Sequence, residues 1–187
     1  MELLNTAIPG VLLLRPDRFG DERGFFSETF RLSWMEEAGL PASWVQDNHS
    51  MSAAPGTVRG LHFQVPPRAQ DKLVRVVRGS VFDVAVDLRR SSPTYGRHAA
   101  ATLSAANREQ LLVPRGFAHG FCTLEPGTEV LYKVTDYYSP EHDRGLLWSD
   151  PALGIEWPVP AESILVSERD RRHPVLADLP EYFTLEG

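Results

Sequence analysis

Residues 72–88 read KLVRVVRGSVFDVAVDL, and this stretch decides the fold class. Its first part, Lys72 to Val77, is rich in β-branched residues, and its second part, Val81 to Leu88, alternates apolar side chains with two aspartates. Both patterns are typical of β-strands. Only three residues centred on Gly79 separate the two parts, and such a short turn predicts that the strands pair as a β-hairpin.

The rest of the chain is divided into similarly short segments by 15 prolines and 14 glycines. Val11 to Leu14 and Glu129 to Tyr138 have the composition of further strands. Helical patterns are short: one covers Leu32 to Ala38 with Gly39 as its C-cap, and a turn lies near Ala161. Many short strands with few helices predict an all-β sandwich or barrel.

Composition excludes several classes of protein. The 187 residues fit one domain, 1–187, and the net charge of -6 gives none of the positive surface that binds nucleic acids or anionic membranes. Residues 1–5 lack the basic region of a signal peptide, and no run of about 18 apolar residues could span a membrane, so we expect a cytoplasmic protein. The single cysteine, Cys122, lies in an apolar stretch and predicts a buried, unreactive thiol.

Three stretches place polar side chains where a sheet would ordinarily bury apolar ones. They are residues 46–48 with 59–64, the pair Lys72 and Asp83 on the two strands quoted above, and residues 112–119 followed by Tyr132. Burying a lysine, a histidine or an aspartate is costly unless the group is paired. These side chains therefore either point outward or line a wet cavity that has a purpose.

Each of these residues also has an ordinary structural explanation. A single strand histidine such as His62 is more often structural or exposed than catalytic, and Lys72 could protect a solvated sheet edge. Tyr132 could be a core residue with a satisfied hydroxyl group, and alternation would place Asp83 on a solvent face. Spacing alone does not decide between the two interpretations.

Arg59 and His62 raise a specific difficulty. Side chains alternate across a strand, so two residues three positions apart point to opposite faces. Both can face one cavity only if Gly60 allows a β-bulge or a bend.

A metal site is disfavoured by the same stretch. A His-x-His pair would place two ligands on one face of a strand, but the second position is Gln64. Lys72 would add positive charge, and His119 alone does not complete a site. We therefore expect no metal.

The order of these blocks resembles that of a known family, the dTDP-4-dehydrorhamnose 3,5-epimerases of the cupin fold. The resembling blocks are residues 21–28, 46–48, 59–62, 72–88, 92–96, 114–120, 132–133, 137–141 and 167–170. The resemblance runs nearly from end to end. It implies an all-β, cupin-type (jelly-roll) antiparallel β-barrel with a few short peripheral helices.

The resemblance also implies roles for individual residues. The catalytic set would be His62 as general base, Asp170 as its orienting carboxylate, Tyr132 as acid on the opposite face of the sugar, and Lys72 near the C4 oxygen. The substrate-binding positions would be Arg23, Phe26, Glu28, Gln46, Asp47, Asn48, Arg59, Asp83, His119, Tyr138, Asp143 and Arg169. Asp143 and Arg169 stand where the family often has Glu and Lys, which keeps the charge but changes the reach.

The implied reaction inverts carbons next to a ketone through an enolate, which needs a base, an acid on the other face and a cation near the oxygen. No hydride moves, and the sequence contains neither G-x-G-x-x-G nor a Walker pattern, so we expect no cofactor. The family further implies a homodimer in which an N-terminal segment joins the partner's sheet and Arg23 reaches the neighbouring site.

Three other functions stay open at this point. A relative that inverts only C3 or only C5 would keep both His62 and Tyr132. A sugar-nucleotide-binding barrel without catalysis would have lost one of them. A metal-dependent cupin enzyme is disfavoured by Gln64 and Lys72.

Overall fold

The computed structural model describes residues 1–184, which form fourteen strands and one α-helix. The strands are β1 (Glu2–Asn5), β2 (Leu12–Arg15), β3 (Phe19–Asp21), β4 (Gly24–Phe26), β5 (Gln46–Ser52), β6 (Thr57–Gln64), β7 (Lys72–Arg78), β8 (Ser80–Asp87), β9 (His98–Ser104), β10 (Gln110–Val113), β11 (Phe117–Thr123), β12 (Thr128–Val134), β13 (Asp143–Gly145) and β14 (Leu165–Val166). The helix α1 covers Leu32–Glu37, and short 3-10 turns cover Pro151–Leu153, Ala161–Ser163, Asp170–Arg172 and Leu176–Asp178.

Two antiparallel sheets pack face to face. The first has the strand order β1-β2-β10-β7-β12-β5, and the second has the order β13-β6-β11-β8-β9. The short β14 pairs in parallel with β6, and β3 and β4 form a separate two-stranded hairpin. The all-β, cupin-type jelly roll is thereby confirmed, with its helical turns at the periphery.

The predicted pairing of β7 with β8 is wrong. β7 lies between β10 and β12 in the first sheet, whereas β8 lies between β11 and β9 in the second. The turn at Gly79, which has a φ of +73°, carries the chain from one sheet to the other. A three-residue turn with a left-handed glycine serves a sheet crossing as well as a hairpin.

The space between the sheets is filled by one apolar cluster. Val74 and Val130 enter it from the first sheet, and Ala85 and Phe121 enter it from the second. Tyr132 packs against the same cluster. Side chains of β7, β8, β11 and β12 that share this parity therefore point into the barrel, and they form part of the site.

The outer faces of both sheets are also covered. Residues 146–183 lie over the second sheet, where Leu153 and Phe183 pack on Val84 and Val86. Because both faces of β8 are covered, Asp83 is fully buried, and the expectation of a solvent-facing aspartate is wrong. Burial of a polar group requires partners, which are described below.

The helix and the burial of the thiol are confirmed, with one shift at the helix end. The helix α1 ends at Glu37, its C-cap is Ala38 rather than Gly39, and Gly39 follows with a φ of +67°. Cys122 is buried, and burial raises the pKa of its thiol to about 11. Among residues 1–184, no helix is long and apolar enough to cross a membrane.

Candidate active site

A cavity of about 560 Å³ opens between the two sheets at one end of the barrel. Its lining includes Arg59, His62, Lys72, His119, Tyr132, Arg169 and Asp170. A second cavity of about 310 Å³ shares His62, Lys72, Tyr132 and Arg169 with the first. All four residues of the expected catalytic set therefore lie around one space, although they come from β6, β7, β12 and a C-terminal turn.

A β-bulge in β6 brings Arg59 and His62 to the same cavity. Arg59 and His62 are three residues apart on β6, whereas their partners on β11, Phe121 and His119, are only two residues apart. β6 therefore contains one extra residue here. Gly60 lies inside the bulge with a φ of +129°, and a Cβ there would lie 2.6 Å from Cα of Gly120. Only glycine fits this conformation and this close approach. The bulge at Gly60, which the sequence analysis required if Arg59 and His62 were to face one cavity, is therefore present.

His62 and Asp170 form a hydrogen-bonded pair. Nε2 of His62 lies 2.8 Å from Oδ1 of Asp170, and Oδ2 accepts a longer hydrogen bond, 3.4 Å, from the amide of Gly60. Burial of Asp170 works against its charge, but the His62 and Gly60 hydrogen bonds outweigh burial and lower the pKa of the carboxyl group. The carboxylate is therefore ionised at neutral pH, and it orients His62, whose Nδ1 has no hydrogen-bond partner in the described part of the chain.

Tyr132 enters the cavity from the opposite sheet. Its hydroxyl group has no hydrogen-bond partner within residues 1–184. Burial raises the pKa of the phenol, an effect that the Arg59 charge opposes and the Asp143 charge reinforces. The phenol is thus neutral in the working range and can donate a proton only to a strongly basic centre.

Lys72 is almost fully buried at the base of the cavity. Its Nζ donates a hydrogen bond of 3.1 Å to the main-chain carbonyl of His62. Burial lowers the pKa of its ammonium group to about 8, and the charges of Asp143 and Asp83 oppose that shift. At neutral pH most molecules therefore carry a positive charge here, where a developing oxyanion would be stabilised.

His119 and Asp83 form a second buried pair on adjacent strands. Nε2 of His119 lies 2.8 Å from Oδ1 of Asp83, whose Oδ2 has no hydrogen-bond partner among the described residues. Asp83 thus lies behind His119 rather than at the cavity surface.

Arg59 is held by the hydroxyl group of Ser52 and the carbonyl of Met51, each 3.1 Å away, which fixes its guanidinium at the cavity rim.

A hydrogen-bonded group of side chains surrounds the second cavity. The side chain of Gln46 donates to Asn48 and accepts from the amide of Tyr138. The carboxylate of Asp143 accepts from the hydroxyl group of Tyr138 at 3.2 Å and from Arg169 at 2.5 Å. The Asp143 and Arg169 replacements thus act as one ion pair, in which the shorter aspartate meets the longer arginine.

Besides Asp83, four expected binding residues lie away from these two cavities. Arg23 and Phe26 line a separate exposed hollow on the β3–β4 hairpin, and Glu28 pairs with Arg31 on the surface. Asp47 points to the outer face of the first sheet and pairs with Lys133. Their contact with substrate stays a prediction.

One group of side chains within residues 1–184 could hold a metal ion. One ligand atom each from His62, Asp170 and His173 lies within 4.8 Å of the others. The His62–Asp170 hydrogen bond occupies that space, and Lys72 and Arg169 surround it with positive charge, which disfavours a divalent cation. Gln64, at the second position of the His-x-Gln pair, uses its side-chain amide in hydrogen bonds with the main chain. Its nitrogen donates to the carbonyls of Arg68 and Tyr137, and its oxygen accepts from the amide of Ser139.

His173 is the site residue that the sequence did not single out. Its Nε2 lies 3.4 Å from Oδ1 of Asp170. The available signal was the Asp-x-x-His spacing at 170–173, which places both side chains on one side of a single turn.

The arrangement provides a complete set for proton transfer next to a carbonyl. A base, His62, belongs to the second sheet, an acid, Tyr132, belongs to the first, and a cation, Lys72, begins the neighbouring strand of the first sheet and lines the same cavity. A ring held in the cavity would present one face to each sheet.

Comparison with known proteins gives a consistent result. A family model described as dTDP-4-dehydrorhamnose 3,5-epimerase matches residues 5–178. A protein of that name from Sinorhizobium fredii is 55% identical over 183 residues, which cover 98% of this chain and 93% of the relative. A dTDP-4-dehydrorhamnose 3-epimerase from Streptomyces niveus is 37% identical over 194 residues, covering 100% of this chain and 92% of that one.

The fold also matches a solved complex. The crystal structure of a dTDP-6-deoxy-D-glucose-3,5-epimerase from Legionella pneumophila, in complex with dTDP-4-keto-L-rhamnose, superposes with a TM-score of 0.94. The two sequences are 40% identical, and the match covers 100% of this chain and 99% of the other.

Proposed function

The chain belongs to the dTDP-4-dehydrorhamnose 3,5-epimerase family, and we propose that it inverts C3 and C5 of dTDP-4-keto-6-deoxy-D-glucose to give dTDP-4-keto-L-rhamnose. The product supplies the deoxysugar branch of dTDP-L-rhamnose biosynthesis. The observation that carries this proposal is the position of His62 and Tyr132 on opposite sheets around one cavity.

Each inversion is one deprotonation followed by one protonation. Nδ1 of His62 removes the proton from the carbon next to the C4 ketone, and the electron pair moves to the C4 oxygen as an enolate. Tyr132 then donates its proton to the other face of that carbon while the ketone forms again. C3 and C5 both adjoin C4, so the same groups serve both centres, once solvent water has taken the proton from His62 and returned one to Tyr132.

The remaining groups lower the barrier by electrostatics. Lys72 places positive charge near the C4 oxygen before the reaction begins, and a preorganised donor of this kind typically accounts for about two to three decades in rate. Asp170 keeps His62 in the tautomer that leaves Nδ1 unprotonated and stabilises the imidazolium that forms.

The diphosphate and the base would be held by residues around the rim. Arg59 offers a guanidinium at the edge of the first cavity, and His119 offers its free ring nitrogen beside it. A guanidinium is well suited to a diphosphate because its donors match two phosphate oxygens at once. Tyr138 and the Asp143–Arg169 ion pair border the second cavity, where the thymine would lie.

A second copy of the chain would complete the site. The β3–β4 hairpin exposes Phe26, 68% accessible, together with Phe19 and Phe25, and it carries Arg23 in the same hollow. Exposed apolar side chains of this size on one hairpin favour an interface. We therefore place the hairpin against a partner subunit, with Arg23 and Phe26 reaching the partner's substrate, in a homodimer.

A cytoplasmic location also stays a proposal, supported by the charged diphosphate, which does not cross membranes unaided.

The test is proton exchange on the substrate. The purified protein is incubated with dTDP-4-keto-6-deoxy-D-glucose in deuterated water, and the ring protons are followed by NMR. Deuterium at both C3 and C5, with the inverted product and with loss of both in His62→Ala, supports the proposal. Exchange at one carbon only assigns the chain to the single-centre epimerases, and binding without exchange refutes catalysis on this substrate.

A further inference from the structure

His173 contacts both His62 and Asp170, although it is not one of the residues that line the cavity described above. Its Nε2 lies 3.4 Å from the same oxygen of Asp170 that binds His62. Its ring lies edge-on to the ring of His62, with centroids 5.7 Å apart and planes at 80°. The side chain is 12% exposed, and Nε2 is buried without a conventional hydrogen bond among the described residues.

The backbone of β13 provides the space for this ring. Gly145 is the register partner of His62, and a Cβ on Gly145 would collide with the ring of His173. Any side chain at that position would therefore displace His173 from the His62–Asp170 pair. His173 is also fixed from its own side, because it follows the 3-10 turn that carries Asp170, and the next carbonyl, that of Pro174, accepts from Leu147 at 2.8 Å.

From this geometry we propose that His173 is a positioning residue for the reaction, which donates its Nε2–H to Oδ1 of Asp170 and so holds the carboxylate against His62. The inference rests on the proposed function. A carboxylate oxygen can accept two donors, and the two imidazoles approach it from different directions. A separation of 3.4 Å is long for such a bond, and hydrogen bonds around a catalytic pair commonly shorten once substrate is bound.

A neutral donor suits this position better than a charged one. Burial and the nearby His62 and Arg169 charges lower the pKa of His173, and the Asp170 carboxylate opposes the shift. The imidazole therefore stays neutral near neutral pH and holds Asp170 without cancelling the negative charge that His62 needs when it becomes an imidazolium.

Two nearly isosteric variants separate this role from simple packing. His173→Gln keeps a nitrogen donor close to the position of Nε2, and His173→Met fills a similar volume without a donor. We expect His173→Met to lower kcat roughly tenfold with KM within about twofold of wild type, as is usual when a residue behind a reacting group is lost. His173→Gln should restore most of the kcat.

Thermal unfolding of both variants identifies any general loss of structure. A kcat for His173→Met within about twofold of wild type would overturn the inference, and so would equal losses in the Gln and Met variants at equal thermal stability. Failure of the proposed function gives a different result, because wild type itself would then invert neither carbon of the keto sugar.

Discussion

The ammonium group of Lys72 donates a hydrogen bond to the main-chain carbonyl of His62, so the cation and the base are connected through one peptide group. Lys72 is buried beside the cavity on β7 of the first sheet, and this hydrogen bond links it to the base on β6 of the second sheet. Charge at Lys72 and proton transfer at His62 are therefore expected to depend on each other, and pH should reveal this.

Activity should fall as pH rises through about 8. Burial lowers the pKa of Lys72 to about 8, so the positive charge is present below this pH and is lost above it. Lys72→Met should lower kcat by about two to three decades and abolish that basic limb. The measurement is kcat/KM from pH 6 to 10. Lys133→Met, at the other lysine of the chain, should leave the profile unchanged, and a basic limb that persists in Lys72→Met contradicts the assignment.

Tyr132→Phe should separate exchange from inversion. His62 can still remove a proton and return a deuteron to the same face, whereas the other face has lost its donor. We expect deuterium in the recovered substrate and a rate of inverted product at least about two decades lower. NMR of the sugar ring measures both quantities, with exposed Tyr137→Phe as the matched control. Inversion at the wild-type rate would show that another group is the acid.

Two inactive variants should complement each other. If Arg23 acts in the partner's site, a mixed dimer of Arg23→Ala and His62→Ala contains one site with both residues intact. Random exchange of subunits should then restore about a quarter of the wild-type activity. The assay is activity of the two variants before and after they are mixed under conditions that allow exchange. No recovery, in a mixture shown to contain mixed dimers, argues that Arg23 acts within its own chain or not at all.

Asp87 should control stability in acid. Its fully buried carboxylate accepts from Arg89, Ser92 and Thr94, and these hydrogen bonds outweigh burial and lower its pKa from 3.8. Folding thus favours the ionised form, so this stabilisation is complete above pH 3.8 and is lost as pH falls through the lower, folded value.

Removing that carboxylate charge tests the point. Asp87→Asn should lower the free energy of unfolding at pH 7 by about 3 kcal/mol, because Arg89 loses the partner of a buried ion pair. The difference from wild type should shrink as pH falls below 3.8. Urea unfolding at several pH values measures both effects. Exposed Asp178→Asn is the control, and a constant difference at all pH values would disprove the role of ionisation.

The strands were predictable because their patterns are local, whereas their partners were not. Alternation in β8 correctly separated Val84 and Val86 from Asp83, but it could not say that both faces are covered. Whether Gly79 folds β7 back on β8 or leads to another sheet depends on strands far away in the chain. Pairing is a tertiary property, and a two-strand pattern does not contain it.

The contacts between the active-site residues were likewise not predictable from local sequence patterns. His62 and Asp170 are 108 residues apart, and only the family resemblance connected them before the structure was known. The Arg59–His62 conflict was visible from strand parity, and Gly60 was the residue that could resolve it. His173 was missed because the Asp-x-x-His spacing at 170–173 does not show that Gly145, on another strand, leaves room for the ring beside His62.

The extra residue at Gly60 has a consequence for enzyme engineering. It fixes the separation along β6 between Arg59, which we assign to the phosphate, and His62, which we assign to the reacting carbon. Larger or smaller side chains in the cavity can change which sugar is accepted, but they cannot change that separation. Acceptance of a sugar attached through a longer or shorter spacer would therefore require inserting or deleting a residue within 57–64, and a library of such length variants is the rational starting point.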